Sequence, residues 1–192
     1  MQVPIRSLGV LPRLAIAGSM LLLALVTGIA IANATEIIPA AGLTKSVNGD
    51  GNEANAFGSL ALRGQMFPMV ATEVGVSYRS ESRDGDDLKV RMWPVTASLW
   101  LTPLPALYAG GGVGWYNITF DYSDDLVPPI EDETHQDFGV HLGGGVRVPL
   151  APAAALDLNG RYVMLREQDD KLVPEHFDPD FWTMSLGLAI KF

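Results

Sequence analysis

The sequence predicts an all-β protein, an eight-stranded antiparallel up-and-down transmembrane β-barrel. Three observations predict it. Apolar residues recur at every second position through most of the chain beyond residue 35, the period of a strand with two unlike faces. The segments between these stretches alternate between short proline-containing turns and longer acidic loops, as in barrels that cross a membrane. The predicted strands reach roughly ten residues or more, enough to span a bilayer when tilted. Strands of soluble sandwiches are shorter, about five or six residues.

The chain opens with a segment expected to be removed. Arg6 and Arg13 supply positive charge, an uncharged apolar run extends from Leu14 to Ala32, and Ala32-Asn33-Ala34 offers a small-x-small cleavage site. This is the pattern of a secretory signal peptide, so residues 1–34 are expected to be the signal peptide and residues 35–192 the β-barrel domain. The apolar run is also long enough to anchor in a bilayer, but the cleavage site favours removal. The 13 basic and 22 acidic residues leave a net charge of −9, and losing Arg6 and Arg13 with the leader takes the remainder to −11. That acidity argues against a nucleic-acid partner, which needs a basic footprint. There is no cysteine, hence neither disulfides nor thiolate metal sites. After the leader no continuous apolar run approaches helix-spanning length, so a place in a membrane requires a barrel.

The first strand is expected at about Ile38–Val47, with its facing open. In the second, Asn55–Met66, Leu60, Leu62 and Met66 alternate with Ser59, Arg63 and Gln65. The third, Val70–Ser82, sets Val70, Val74, Val76 and Tyr78 against Glu73, Ser77, Arg79 and Glu81. The fourth, Leu88–Leu101, changes phase: Leu88, Val90 and Met92 alternate, then Val95, Ala97, Leu99 and Leu101. The slip falls at Trp93-Pro94, and a β-bulge there would explain both the slip and a proline inside a strand. In the fifth, Ala106–Tyr122, Tyr108, Tyr116, Ile118, Phe120 and Tyr122 are expected on the lipid face, with Val113, Trp115, Asn117, Thr119 and Asp121 inside. The sixth, His135–Val148, sends Phe138, Val140, Leu142, Val146 and Val148 outward and Asp137, His141 and Arg147 inward. The seventh, Ala153–Arg166, sends Leu156, Leu158, Tyr162 and Met164 outward and Asp157, Asn159 and Arg161 inward. The eighth is the terminal FWTMSLGLAIKF, with Trp182, Met184, Leu186, Leu188, Ile190 and Phe192 on one apolar face.

These features together resemble the small eight-stranded outer-membrane β-barrels, of the OmpA-type membrane domain and the OmpX type. The residues carrying the resemblance are the leader, the even strand count, the loop–turn alternation and the aromatic-ended FWTMSLGLAIKF. The resemblance implies a cell outer-membrane location, a monomer in contact with lipid and lipopolysaccharide, and recognition of the last strand by the barrel-assembly machinery. Phe192, Ile190 and Leu188 would form that assembly signal. The sequence ends with this strand, so the peptidoglycan-binding domain of the full OmpA type is not expected.

Eight strands leave an interior just wide enough for side chains, and charges held there must pair. The predicted lumen network comprises Arg63, Glu73, Arg79, Arg91, Asp137, His141, Arg147, Asp157 and Arg161, with Gln65, Glu81, Lys89, Asp121, Asn159 and Lys191 also on inward positions. A hairpin turning at Pro68 sets Arg63 opposite Glu73, each five residues from the turn, and predicts a cross-strand ion pair. The network reads as a polar plug, with a narrow OmpW-like pore as the alternative. A lipid A-modifying enzyme is the third reading. The lipid A deacylase family carries a His-x-Ser pair, and none of His135, His141 and His176 has a serine two residues on. No catalytic residue, cofactor or metal site is therefore expected. The acidic loop residues, among them Asp50, Glu53, Asp84, Asp86, Asp87, Asp124, Asp125, Glu131, Asp132, Glu133, Asp169, Asp170, Asp178 and Asp180, form a negative rim that could bridge through divalent cations to lipopolysaccharide phosphates. Gly110–Gly112 and Gly143–Gly145 lie inside predicted strands, unlike phosphate-binding loops.

Overall fold

A strand with one apolar and one polar face needs a different environment on each side, and a sheet closed on itself provides two. The computed structural model describes residue 28 and residues 34–47, 54–83, 88–122, 133–165 and 180–192. They form eight strands: β1 (Glu36–Ser46), β2 (Asn55–Phe67), β3 (Val70–Arg83), β4 (Leu88–Leu104), β5 (Leu107–Tyr122), β6 (Glu133–Ala151), β7 (Ala154–Leu165) and β8 (Phe181–Lys191). Each pairs antiparallel with its sequence neighbours, and β1 pairs with β8 to close the barrel. Closure leaves no unpaired sheet edge, the condition for strands to cross lipid. The short β2–β3, β4–β5 and β6–β7 turns share one end with the start of β1 and the end of β8. This is the turn end; the opposite end is the loop end.

The outer surface is apolar. Leu43, Leu60, Val76, Leu99, Leu101, Val140, Leu142, Leu158, Met184 and Leu186 are all exposed. In β1 the even positions face inward, including Glu36, Ile38 and Thr44, and Leu43 and Lys45 face outward. That settles the facing left open by its sequence.

Two sequence expectations are overturned. There is no bulge at Trp93-Pro94. The β4–β5 register runs unbroken from Leu88↔Tyr122 to Leu101↔Ala109, through Trp93↔Asn117 and Pro94↔Tyr116. The β3–β4 rungs Val76↔Val95 and Arg79↔Met92 also belong to one register. Pairing is merely interrupted between them, where Pro94 has no N–H to donate. The irregularity of β4 lies instead between Leu101 and Leu104, at the turn. What changes at Trp93 is the surroundings of the strand. Towards the turn end, Val95, Leu99 and Leu101 face outward, and Ser98 and Trp100 are buried inside. Towards the loop end, Met92 is buried inside with Val90 packed beside it. Arg91 therefore shares the outer face with Trp93.

β5 faces opposite to expectation at both ends. Tyr108, Tyr116 and Ile118 are buried inside the barrel, whereas Asn117 is on the outer side, its amide donating to the Trp93 carbonyl. Near the loop end Met92, Tyr116, Ile118, Val163, Leu165 and Phe181 make one apolar cluster in the lumen. Apolar side chains turn inward where the strands leave lipid for water. The crossing is marked on the outer face by aromatic pairs: Tyr78–Trp93, Tyr162–Trp182 and Trp115–Phe138, with ring centroids 4.6, 4.7 and 5.3 Å apart. Such belts sit at membrane–water interfaces.

Leu142 is 61% exposed on the outer face, four residues to the turn side of Phe138. Leu142→Arg is expected to lower the free energy of folding into lipid vesicles by about 2–4 kcal/mol, the range for a cation near the bilayer midplane. Urea titration of folding into vesicles measures this, and a negligible change would contradict the placement of this band in lipid.

Candidate functional site

The lumen is the candidate site, and its construction starts from a hairpin. The β2–β3 register sets Arg63 opposite Glu73. Both side chains point inward and are buried, and the Arg63 Nη2 lies 2.6 Å from Glu73 Oε2. Barrel closure then brings distant strands to the same pair. From β7, Arg161 Nη2 donates to the other Glu73 oxygen at 2.6 Å, and Asp157 Oδ2 accepts from Arg63 Nη1 at 2.7 Å. From β6, Arg147 lies 3.6 Å from Asp157 and donates to Glu36 Oε2 of β1 at 2.6 Å. The result is a chain of alternating charge across the lumen: Arg161, Glu73, Arg63, Asp157, Arg147, Glu36. Three guanidinium groups face three carboxylates, so the assembly is neutral as a whole.

Neutral groups complete it. The Tyr108 hydroxyl donates to Asp157 Oδ1 at 2.6 Å and accepts from Asn159 Nδ2 at 3.0 Å. The Arg63 guanidinium lies 4.5 Å from the Tyr108 ring centre, and that of Arg161 lies 5.2 Å from the Trp100 ring centre. Tyr108 fits only because residue 145 is glycine: a Cβ there would come within 2.4 Å of the tyrosine ring and hydroxyl.

The structure thus brings Arg63, Glu73, Arg147, Asp157 and Arg161 of the predicted network together. His141 is also inside and buried, but its Nε2 is 2.9 Å from Ser98 Oγ, apart from the charged chain. Arg79 points inward nearer the loop end, where it donates to Thr44 and lies 4.3 Å from the Phe181 ring centre. Asp137 occupies an inward position further towards that end. Arg91 does not belong to the lumen. Its predicted place depended on a bulge that is not there. Sequence reasoning missed Glu36, Ser98, Trp100 and Tyr108. Glu36 lay just before the expected first strand. Trp100 and Tyr108 are aromatic residues in a sequence that uses aromatics on both faces.

The lumen is layered along its axis. A cavity of about 370 Å3 opens at the turn end, lined in part by Glu36, Arg63, Trp100, Tyr108, Arg147 and Lys191. The charged chain lies above it. A smaller chamber of about 80 Å3 follows, lined in part by Glu73, Thr96, Tyr116, His141, Arg161 and Phe181. The apolar cluster caps that chamber towards the loops.

Most acidic residues of the expected rim fall outside the described residues: those in 48–53, 84–87, 123–132 and 166–179. Asp180 is described. Its carboxylate accepts from the Tyr162 hydroxyl at 2.7 Å and from the Leu165 N–H at 3.1 Å, securing the end of β7. Among the described residues no group of three or more His, Cys, Asp or Glu side chains is placed to hold a metal ion.

Comparison with known proteins agrees with this architecture. The family model described as outer membrane protein beta-barrel domain matches residues 21–192. The chain belongs to that family, and it resides in the cell outer membrane. The match begins within the segment expected to be the leader. Among solved structures it is similar to Neisserial surface protein A, with a TM-score of 0.63 and 14% identity over 82% of this chain and 96% of that one. It is also similar to a major outer membrane protein of Thermus thermophilus, with a TM-score of 0.58 and 15% identity, over 83% of this chain and 99% of that one. Ail, the attachment invasion locus protein of Yersinia pestis, has a TM-score of 0.51 and 16% identity, over 83% and 97%. At these identities the likeness is one of fold. No curated protein matches the sequence.

Removing one member of a buried ion-pair chain leaves its partners uncompensated, at a cost of about 3–5 kcal/mol. Glu73→Ala strands both Arg63 and Arg161 and is expected to destabilise the folded barrel by that order. Arg79→Ala, outside the chain, is expected to cost less. Urea unfolding in lipid vesicles compares the two, and equal losses would show that the chain carries no special share of stability.

Proposed function

We propose that this protein is a structural and interaction barrel of the outer membrane, with a lumen closed by its own side chains and with acidic loops presented outside. The observation that carries this reading is the neutral chain of six charged side chains spanning the lumen, with an apolar cluster above it. An ion crossing the barrel would have to displace paired charges in one layer and enter a dry layer in the next. Both steps are costly. The turn end faces the periplasm in this reading, residues 1–34 are a cleaved leader, and the barrel works as a monomer inserted by the assembly machinery through its Phe192-ended strand.

The reading includes no enzymatic activity. Ser98 is paired with His141 as a nucleophile is paired with its base, yet both residues are 1% exposed, and an ester would have no approach to Ser98 Oγ. A narrow pore is the second reading. It is favoured by the cavities on either side of the charged chain.

Planar-bilayer recording of the refolded protein separates these two. No steady conductance is expected from the wild type, whereas steady channels altered by Glu73→Ala would establish the pore. The loops are the surface offered to lipopolysaccharide, with divalent cations between their carboxylates and its phosphates. Calorimetric titration of the refolded protein with calcium is expected to give heat in the millimolar range, and its absence would remove the cation bridge.

A further inference from the structure

The turn end is more apolar than a rim facing water requires. The tips of its three turns, residues 67–69, 103–107 and 148–153, read Phe-Pro-Met, Pro-Leu-Pro-Ala-Leu and Val-Pro-Leu-Ala-Pro-Ala. None of these residues carries a polar side chain, and all of them are exposed. The polar side chains of this end, Thr35, Glu36, Gln65, Thr102, Arg147 and Lys191, line the lumen mouth instead. The tips also continue the lipid-facing wall without a break. Exposed Leu101 leads into the β4–β5 turn, exposed Val148 into the β6–β7 turn, and Phe192, 76% exposed, ends the wall just beyond β8. A continuous apolar patch of this kind marks a surface that meets something other than water.

Height along the barrel indicates what it meets. The outward-facing Tyr and Trp among the described residues, Tyr78, Trp93, Trp115, Tyr162 and Trp182, all belong to the loop-end belt. From Trp182 the chain runs ten residues to Phe192. That is about 33 Å along the strand at ~3.3 Å per residue, and about 25 Å along the membrane normal at a tilt of ~40°. The apolar band of outer-membrane barrels has the same height, about 25 Å. From Trp93 to Leu104 the chain runs one residue further. With the belt at one membrane surface, the turns reach only the far edge of the hydrocarbon. Pro68, Pro103, Pro105, Pro149 and Pro152 suit that place, because they have no N–H to leave unpaired away from water.

We propose that the turn end is itself a lipid-binding surface, its three turns sunk into the phospholipid of the leaflet opposite the aromatic belt. The depth is that of an interfacial segment, about 5–10 Å into the boundary between headgroups and acyl chains. Lipid is the occupant because the tips are continuous with a wall that lipid already covers, and a protein docked on them would have to displace it from Leu101, Val148 and Phe192. The lumen mouth then lies among the headgroups, where its polar side chains meet water. The barrel is held at both membrane surfaces, by aromatic rings at one and by apolar turns at the other. That the leaflet is the inner one rests on the orientation proposed above; the immersion does not, and a lumen that conducts leaves it intact.

The test is paramagnetic broadening of backbone amide resonances in the 15N-labelled full chain, refolded into phosphatidylcholine nanodiscs. A water-soluble gadolinium chelate reports contact with water, and a phospholipid carrying a nitroxide next to its headgroup reports contact with the interface. Ala54, exposed at the loop end, is the water reference, and Leu142 is the lipid reference. The amides of Met69, Leu104, Leu150 and Ala151 are expected to keep their intensity in gadolinium, as Leu142 does, and to lose it with the nitroxide lipid. Broadening by gadolinium to the extent seen at Ala54 would overturn the proposal and leave the tips to water or to a protein partner. Leu150→Asp places a carboxylate on an exposed tip, and a dispersed spectrum shows that the variant folds. It is expected to restore gadolinium broadening at Ala151 and Ala153 and to leave Leu142 protected. Unchanged protection of Ala151 and Ala153 in the folded variant would assign it to the fold of the turn, and that too would overturn the immersion.

Discussion

The Glu73 carboxylate holds two guanidinium groups, one oxygen for each, and the interior of the barrel is built around that contact. Arg63 comes from the neighbouring strand and Arg161 from across the lumen. A buried carboxylate alone would be prohibitive, and a carboxylate with two cations would be unbalanced. Asp157, Arg147 and Glu36 extend the chain until cations and carboxylates are equal in number. Tyr108 and Asn159 then take up remaining hydrogen-bonding capacity at Asp157 and Arg161. A buried ionic chain of this kind does not guarantee stability over an apolar alternative. It does select geometry, because slipping one strand would leave charges unpaired where neither lipid nor bulk water can reach them.

The second organising constraint is that the barrel is longer than the membrane it crosses. Within the lipid zone the outer wall is apolar and the lumen is polar. Beyond the aromatic pairs the outer wall meets water, and the lumen fills with Met92, Tyr116, Ile118, Val163, Leu165 and Phe181. One continuous strand thus carries two opposite patterns. The apparent phase break of β4 records a change of surroundings, and the backbone register passes straight through it. A proline at that point loosens pairing on the β3 side, and the outer-face contact of Tyr78 with Trp93 lies over the same stretch.

Legibility followed locality. The strand count, the alternation of turns and loops, and the outward faces of β2, β3, β6, β7 and β8 could be read because each depends on period and on adjacent residues. The Arg63–Glu73 pair was legible because a tight hairpin converts sequence separation into register. The facing of β4 was misread in its loop-side half and that of β5 at both ends, because alternation reports which face is apolar, not what lies outside. Arg91 was lost with them. Tyr108 and Trp100 were missed because an aromatic ring serves equally as a membrane anchor or as the wall of a polar lumen.

The sequence by itself determined a barrel of eight strands for the outer membrane and one rung of its interior, since those follow from period, turn chemistry and nearest-neighbour pairing. Only the tertiary structure decided the partners of that rung. Arg161 reaches Glu73 across 88 positions and Arg147 reaches Glu36 across 111. Which inward residues meet depends on how the sheet closes and how its strands stagger, and these are properties of the whole ring that no single strand encodes. The same closure directs Glu36 to Arg147 in place of its ladder neighbour Lys191.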